Sequence, residues 1–231
     1  MSWRGRNRNK LCCRIIVFHM KINRLAKCIL IYVVVFLLWT AYRLFFRLPE
    51  TIDEFVAKPL IWLAPLFFIK KNIFKNIISS FKSEGSYNII LGLSIGILYF
   101  ILYTLFSTFQ YGFPTLNSAH YSFKQIILQL TIALSTGFIE ELLFRRFILE
   151  ESLHIFNDSI VANSFTTILF TLIHLPIIFF VYKYSFASSV SYLLLLTISG
   201  FIYGVVYLHK KSLLASTITH AVWNFLGTII R

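Results

Sequence analysis

The chain has 231 residues, of which 58% are hydrophobic and 13% charged, and its mean hydropathy is +0.75. Soluble domains are about half apolar and about a quarter charged, so this composition excludes an ordinary soluble enzyme; it reads as all-α, a polytopic bundle of about seven transmembrane helices. The net charge of +13 does not imply nucleic acid: eight of the 22 basic residues fall in the first 27 positions, and the rest cluster at the ends of apolar runs, as cytoplasmic loops and anionic lipid favour.

In chain order, residues 1–27 read as a basic cytoplasmic segment on the inner membrane surface, with no cleavage site for a leader after it. Cys12, Cys13 and Cys28 have neither a disulfide framework nor metal-ligand spacing. Residues 28–110 read as N-terminal transmembrane helices. Within them, Cys28 to Phe46 is a first span entering from the cytoplasm, with Arg43 and Arg47 snorkelling at its far end. Residues 55–69 are a weaker apolar run, interrupted by Pro59 and Pro65 and short for a bilayer. Lys70, Lys71, Lys75 and Lys82 make an inner loop. Tyr87 to Phe109 is a span in which Gly92 and Gly96 offer a small-residue packing face. The polar stretch with Gly112, Pro114 and Asn117 is an outer loop.

Residues 124–231 read as the functional core. A helix from Lys124 to about Leu149 carries Glu140 and Glu141 and ends inside at Arg145 and Arg146. Ser159 to Tyr182 follows, and Pro176 is expected to break it just beyond His174. Ser188 to Leu208 carries Gly200 and Gly204 and ends at His209, Lys210 and Lys211, and Ser212 to Ile230 is the last span. The alternating basic ends fit an integral protein of a cell membrane with its N-terminus cytoplasmic. A composition rich in Phe, Ile, Lys and Asn suits an AT-rich bacterium.

The polar residues of this core are few and costly. A charged side chain at a helix centre in lipid costs about 2.5–3.5 kcal/mol even on insertion scales, so such groups persist where they face a cavity and find partners. Glu141 and Arg145 are i,i+4 with the acid first, the favourable order for an ion pair, and Glu140 lies about 100° around the helix. One carboxylate is neutralised and the other is left for chemistry. The bland alternative is a solvated helix end. His174 lies four residues after Phe170, and His220 and Asn224 are likewise i,i+4. A carboxylate, two imidazoles and an amide from three helices are the parts needed to activate water and stabilise an oxyanion. Each histidine alone is more often a hydrogen-bonded packing residue than a catalyst, and Asn224 alone could tie two helices together.

EELLFR at 140–145, FTLIH at 170–174 and HAVWN at 220–224 resemble, in order and spacing, the Glu-Glu-x-x-x-Arg, Phe-x-x-x-His and His-x-x-x-Asn motifs of the CPBP intramembrane proteases, the Rce1-like CAAX prenyl protease and bacteriocin-processing group. The resemblance covers roughly residues 125–230. It implies an intramembrane endopeptidase acting on a lipid-modified or membrane-associated protein or peptide. Glu140 would be the general base, His174 would help position water, His220 and Asn224 would hold the oxyanion, and Glu141 and Arg145 would support them. It also implies no cofactor, although one carboxylate and two imidazoles are zinc-type ligands. Two further readings compete: a non-catalytic immunity or scaffold protein binding a bacteriocin or sensor protein, and a proton-coupled carrier using the same groups as a relay.

Overall fold

A computed structural model describes residues 3–69, 85–111 and 121–229, and every element among them is helical. The expected inner loop at Lys70, Lys71, Lys75 and Lys82, the outer-loop residues Gly112, Pro114 and Asn117, and the side chains of Cys12 and Cys13 lie outside the described residues. Cys28 is buried.

Helix α1 (Trp3–Phe45) is followed by a helical turn at Glu50–Ile52, a π-helical segment at Asp53–Ala57 and α2 (Lys58–Ile69). Next come α3 (Ser86–Tyr111) and α4 (Phe123–Glu141), which continues through a π-helical segment, Leu142–Leu149, into α5 (Glu150–Phe156). Helix α6 (Ser159–Leu172) leads to a turn at Leu175–Ile177 and π-helical Ile178–Tyr182, and α7 (Phe186–Lys210) and α8 (Leu213–Ile229) complete the bundle.

Local chemistry sets several of these boundaries. Ser122 and Gln125 form a capping box at the start of α4, satisfying backbone donors that the first helical turn leaves open. Asn157, in the left-handed conformation at φ 57°, ends α5, and the Asp158 side chain accepts from the backbone N–H groups of Ile160 and Val161 to start α6.

Five helices among the described residues are long and apolar enough to cross a membrane: His19–Phe45, Ser86–Phe106, Phe123–Phe156, Ser159–Tyr182 and Phe186–Lys210. The sequence led to about seven. Of the other two, α2 has 12 residues, far below the roughly 20 that a bilayer core requires, and α8 has 17. Large apolar side chains such as Phe68, Phe106, Phe123 and Phe186 stand exposed, a surface suited to lipid.

The glutamate helix does not stop at Arg145 and Arg146. It runs to Phe156, and Arg145 is fully buried instead of lying at a helix end. Arg43 also differs from expectation. It does not snorkel but is buried against Asp53, N–O 2.5 Å, with its guanidinium 4.2 Å from the Trp39 ring centroid, and Tyr42 hydrogen-bonds the same carboxylate. The acid eight residues past the end of the helix, invisible as a partner in one dimension, folds back to meet it.

Helix α8 lies against α3 and α4, while α7 packs on α6. Gly92 and Gly96 supply the close approach of α3 to α8: a Cβ on Gly92 would stand 2.6 Å from the Ala215 carbonyl oxygen and 2.9 Å from the Ile218 Cβ. Thr219 donates to the Gly92 carbonyl at 3.1 Å across the same contact. We expect Gly92→Ala to separate the helices and destabilise the protein by ~1–3 kcal/mol, the usual range for overpacking, read as a lower melting temperature in detergent. An unchanged melting temperature would contradict the packing role.

Candidate active site

Pro176 shapes the first half of the site. Helix α6 ends at Leu172, four residues before it, and the His174 N–H turns to the Thr171 carbonyl at 3.2 Å, which frees the Phe170 carbonyl from its ordinary i+4 partner. The His174 imidazole takes that acceptor through Nδ1, at 2.8 Å. A carbonyl only accepts, so Nδ1 carries the proton, and in the neutral ring Nε2 is a lone-pair acceptor. The helix break therefore fixes the tautomer of the ring and turns its free nitrogen toward Glu140, with Nε2 3.9 Å from Glu140 Oε2.

The second imidazole is fixed from the opposite side. His220, on α8, lies with Nδ1 3.1 Å from Glu141 Oε1 and donates to it, and it stacks on the Tyr203 ring with centroids 4.4 Å apart. Its Nε2 is also 3.9 Å from Glu140 Oε2. Glu141 Oε2 in turn pairs with Arg145 Nε at 3.2 Å, and both residues are wholly inaccessible to solvent. Arg145 also donates to the Gly200 carbonyl at 2.8 Å and lies over the Phe170 ring, 4.7 Å from its centroid. The i,i+4 pair read from the sequence is present, and it supports His220 instead of Glu140. Gly200 is where α7 admits this layer, since a Cβ there would meet the Phe170 ring at 2.8 Å.

Glu140, with 3% of its surface exposed, holds an unequal pair of oxygens. Oε1 is 2.7 Å from Lys58 Nζ, whereas Oε2 has no hydrogen-bond partner. A water placed ~2.8 Å from Oε2 and from either Nε2 fits the 3.9 Å separations as an ordinary bridge. Glu140, His174, His220 and Asn224, together with Lys58 and Glu54, line one cavity of about 250 Å³. The Asn224 amide makes no hydrogen bond to another described residue, so its donors are available to that space. The solvated helix end raised by the sequence is absent: Glu141 and Arg145 are fully buried and Glu140 nearly so.

Lys58 and Glu54 are the residues that sequence reading missed. Lys58 is 4% exposed and its Nζ is also 2.8 Å from Glu54 Oε2. They belong to the weak apolar run and its approach, where no motif marks them. The one available signal was an i,i+4 acid–base pair next to an apolar segment too short to span.

Among the described residues, no group of three or more His, Cys, Asp or Glu stands at metal-binding spacing. Glu140 Oε1 faces an ammonium, and Oε2 is the oxygen that faces the two imidazoles.

In comparisons with known proteins, residues 122–226 match the family model described as Rce1-like, type II CAAX prenyl endopeptidase. No curated protein and no solved structure matches the chain. The matched span includes all three motifs and excludes Lys58 and Glu54.

Proposed function

We propose, taking as premise that residues 122–226 form an Rce1-like domain, that the protein is an intramembrane endopeptidase that hydrolyses a peptide bond of a lipid-modified or membrane-associated substrate with water activated by Glu140. The observation that carries the reading is the free Oε2 of Glu140, buried, without a hydrogen bond, and 3.9 Å from each of two imidazole nitrogens, a separation that one water can bridge.

In the reaction, Glu140 Oε2 accepts a proton from the bridging water while the water oxygen forms a bond to the scissile carbonyl carbon and the carbonyl π pair moves onto oxygen. His174 Nε2 accepts the second water hydrogen and aims the lone pair. The oxyanion takes donors from the Asn224 amide and from His220 Nε2, which requires the doubly protonated His220 ring with its Nδ1–H on Glu141. Collapse of the tetrahedral intermediate breaks the C–N bond, and the proton held on Glu140 passes to the leaving amine. Each oxyanion donor of this kind contributes about 10²–10³ in kcat.

The experiment is direct. The purified chain in liposomes is given a farnesylated peptide ending in a CAAX sequence and its unprenylated counterpart. We expect release of the C-terminal tripeptide from the former; no cleavage of either, or of any membrane-anchored peptide, contradicts the reading. Cleavage proceeds without metal in this account, so EDTA and 1,10-phenanthroline leave the rate unchanged. Loss of activity on chelation, restored by zinc, would show that Glu140, His174 and His220 act as ligands instead.

A further inference from the structure

We propose that Lys58 is a positioning residue for Glu140, held in place by Glu54, and that this pair selects the reacting oxygen of Glu140 and keeps the ammonium neutralised when Glu140 takes up a proton. The inference rests on the reading of Glu140 as the base. It concerns two residues that lie outside the stretch matching the protease family.

Four side chains close a ring between two helical segments. Glu54 and Lys58 are one turn apart, as are Thr136 and Glu140 on α4. Lys58 Nζ reaches Glu54 Oε2 at 2.8 Å and Glu140 Oε1 at 2.7 Å, and Thr136 Oγ1 donates to Glu54 Oε2 at 2.5 Å. Ser135 Oγ donates to the Glu54 carbonyl at 3.3 Å, fixing the backbone of the approaching segment on α4. Lysine suits this place because an ammonium carries three donors on a compact charge and serves two carboxylates at once.

Selection of the oxygen follows from geometry. The terminal torsion of a glutamate is soft and nearly two-fold, so an unrestrained carboxylate presents either oxygen in turn. The ion pair on Oε1 breaks that equivalence and leaves Oε2 facing the two imidazoles. The second role follows from charge. When Oε2 accepts the water proton, Glu140 becomes neutral, and a buried ammonium whose sole partner was Glu140 would be left unpaired at high cost. Glu54, which takes no part in the proton transfer, remains beside it. Glu54 is thus the standing counter-ion that lets Glu140 change charge.

The test uses the full chain in liposomes with the farnesylated CAAX peptide. Lys58→Met is expected to lower kcat ~10²-fold with KM little changed, the size of loss that misplacement of a catalytic group produces. Lys58→Arg recovers part of that loss, and Glu54→Gln falls between the wild type and Lys58→Met. Glu140→Gln is assayed in parallel. Wild-type turnover by Lys58→Met, with Glu140→Gln silent, overturns the positioning role and leaves the base intact; turnover by Glu140→Gln overturns the base itself. A thermal arm is independent of turnover. The double variant Lys58→Met/Glu140→Gln is expected to melt higher, and to yield more folded protein, than Lys58→Met, because one stranded carboxylate has been removed. A double variant no better than the single overturns the pairing.

Discussion

Glu140→Gln is expected to lower kcat by ~10²–10⁴, the range that removal of a positioned general base produces, with little change in KM. Glutamine keeps the shape of the side chain and can still accept from Lys58 through its amide oxygen, so the cavity persists. What it loses is the capacity to take a proton from water. The arrangement around the residue predicts a severe effect because neither carboxylate beside it is free to substitute. Glu141 is occupied by Arg145 and His220, and Glu54 by Lys58 and Thr136. Steady-state cleavage of the farnesylated peptide, with the melting temperature as a control for folding, checks it. A fall in kcat smaller than tenfold would mean that water is activated elsewhere.

Arg145→Met carries the largest expected effect on stability. The side chain is among the largest wholly buried ones, and it holds three things at once: Glu141 by an ion pair, the Gly200 carbonyl by a hydrogen bond, and the faces of Phe170 and Tyr203 by its cation. Methionine fills much of the volume but strands Glu141. Breaking a buried pair from one side costs about 3–5 kcal/mol, which for a chain of this size lowers the melting temperature by about 6–20 °C. The diagnostic comparison is Arg145→Met with the double variant Arg145→Met/Glu141→Gln. Neutralising the stranded acid restores part of the loss, whereas equal melting temperatures for the two would mean that Arg145 stabilises by packing alone. Activity falls in both, because Glu141 is what orients His220.

Much of the candidate site is legible in one dimension because polar groups are rare in apolar helices. Glu140, His174, His220 and Asn224 stand out against phenylalanine, leucine and isoleucine, and all four line one cavity. Pro176 announces the helix break, and the break explains why the Phe170 carbonyl is available to His174. Gly92 and Gly96 mark a close helix contact, and the partner across it is α8. What sequence periodicity does not carry is which segment folds back on which. Glu54 and Lys58 lie in ETIDEFVAK, where charges are common and nothing looks costly. Their cost appears only when the segment is buried against α4. The same blindness sent Arg43 to the membrane interface, when Asp53, ten residues on, draws it inward. The end of the glutamate helix was misplaced for a related reason: Arg145 and Arg146 look like a cytoplasmic terminus, but the π-helical turn after Glu141 carries Arg145 into the core and the helix onward to Phe156.

These two kinds of residue divide the labour of the site. In the proposed mechanism the motif residues supply the groups that meet water and substrate, and three of them are held by partners that take no part in the proton transfers. The Phe170 carbonyl holds His174, Glu141 holds His220, and Lys58 holds Glu140. Such supporting contacts are what keep catalytic groups within the small tolerances that water activation demands.

The central claim, hydrolysis by water that Glu140 activates, is tested most directly by mass spectrometry of the cleaved farnesylated peptide after reaction in H₂¹⁸O, for the wild type and for Glu140→Gln. The account predicts one ¹⁸O atom in the new carboxylate of the wild-type product, present from the first turnover, and no product from Glu140→Gln. A labelled product from Glu140→Gln at the wild-type rate, or an intact peptide with both proteins, would contradict it.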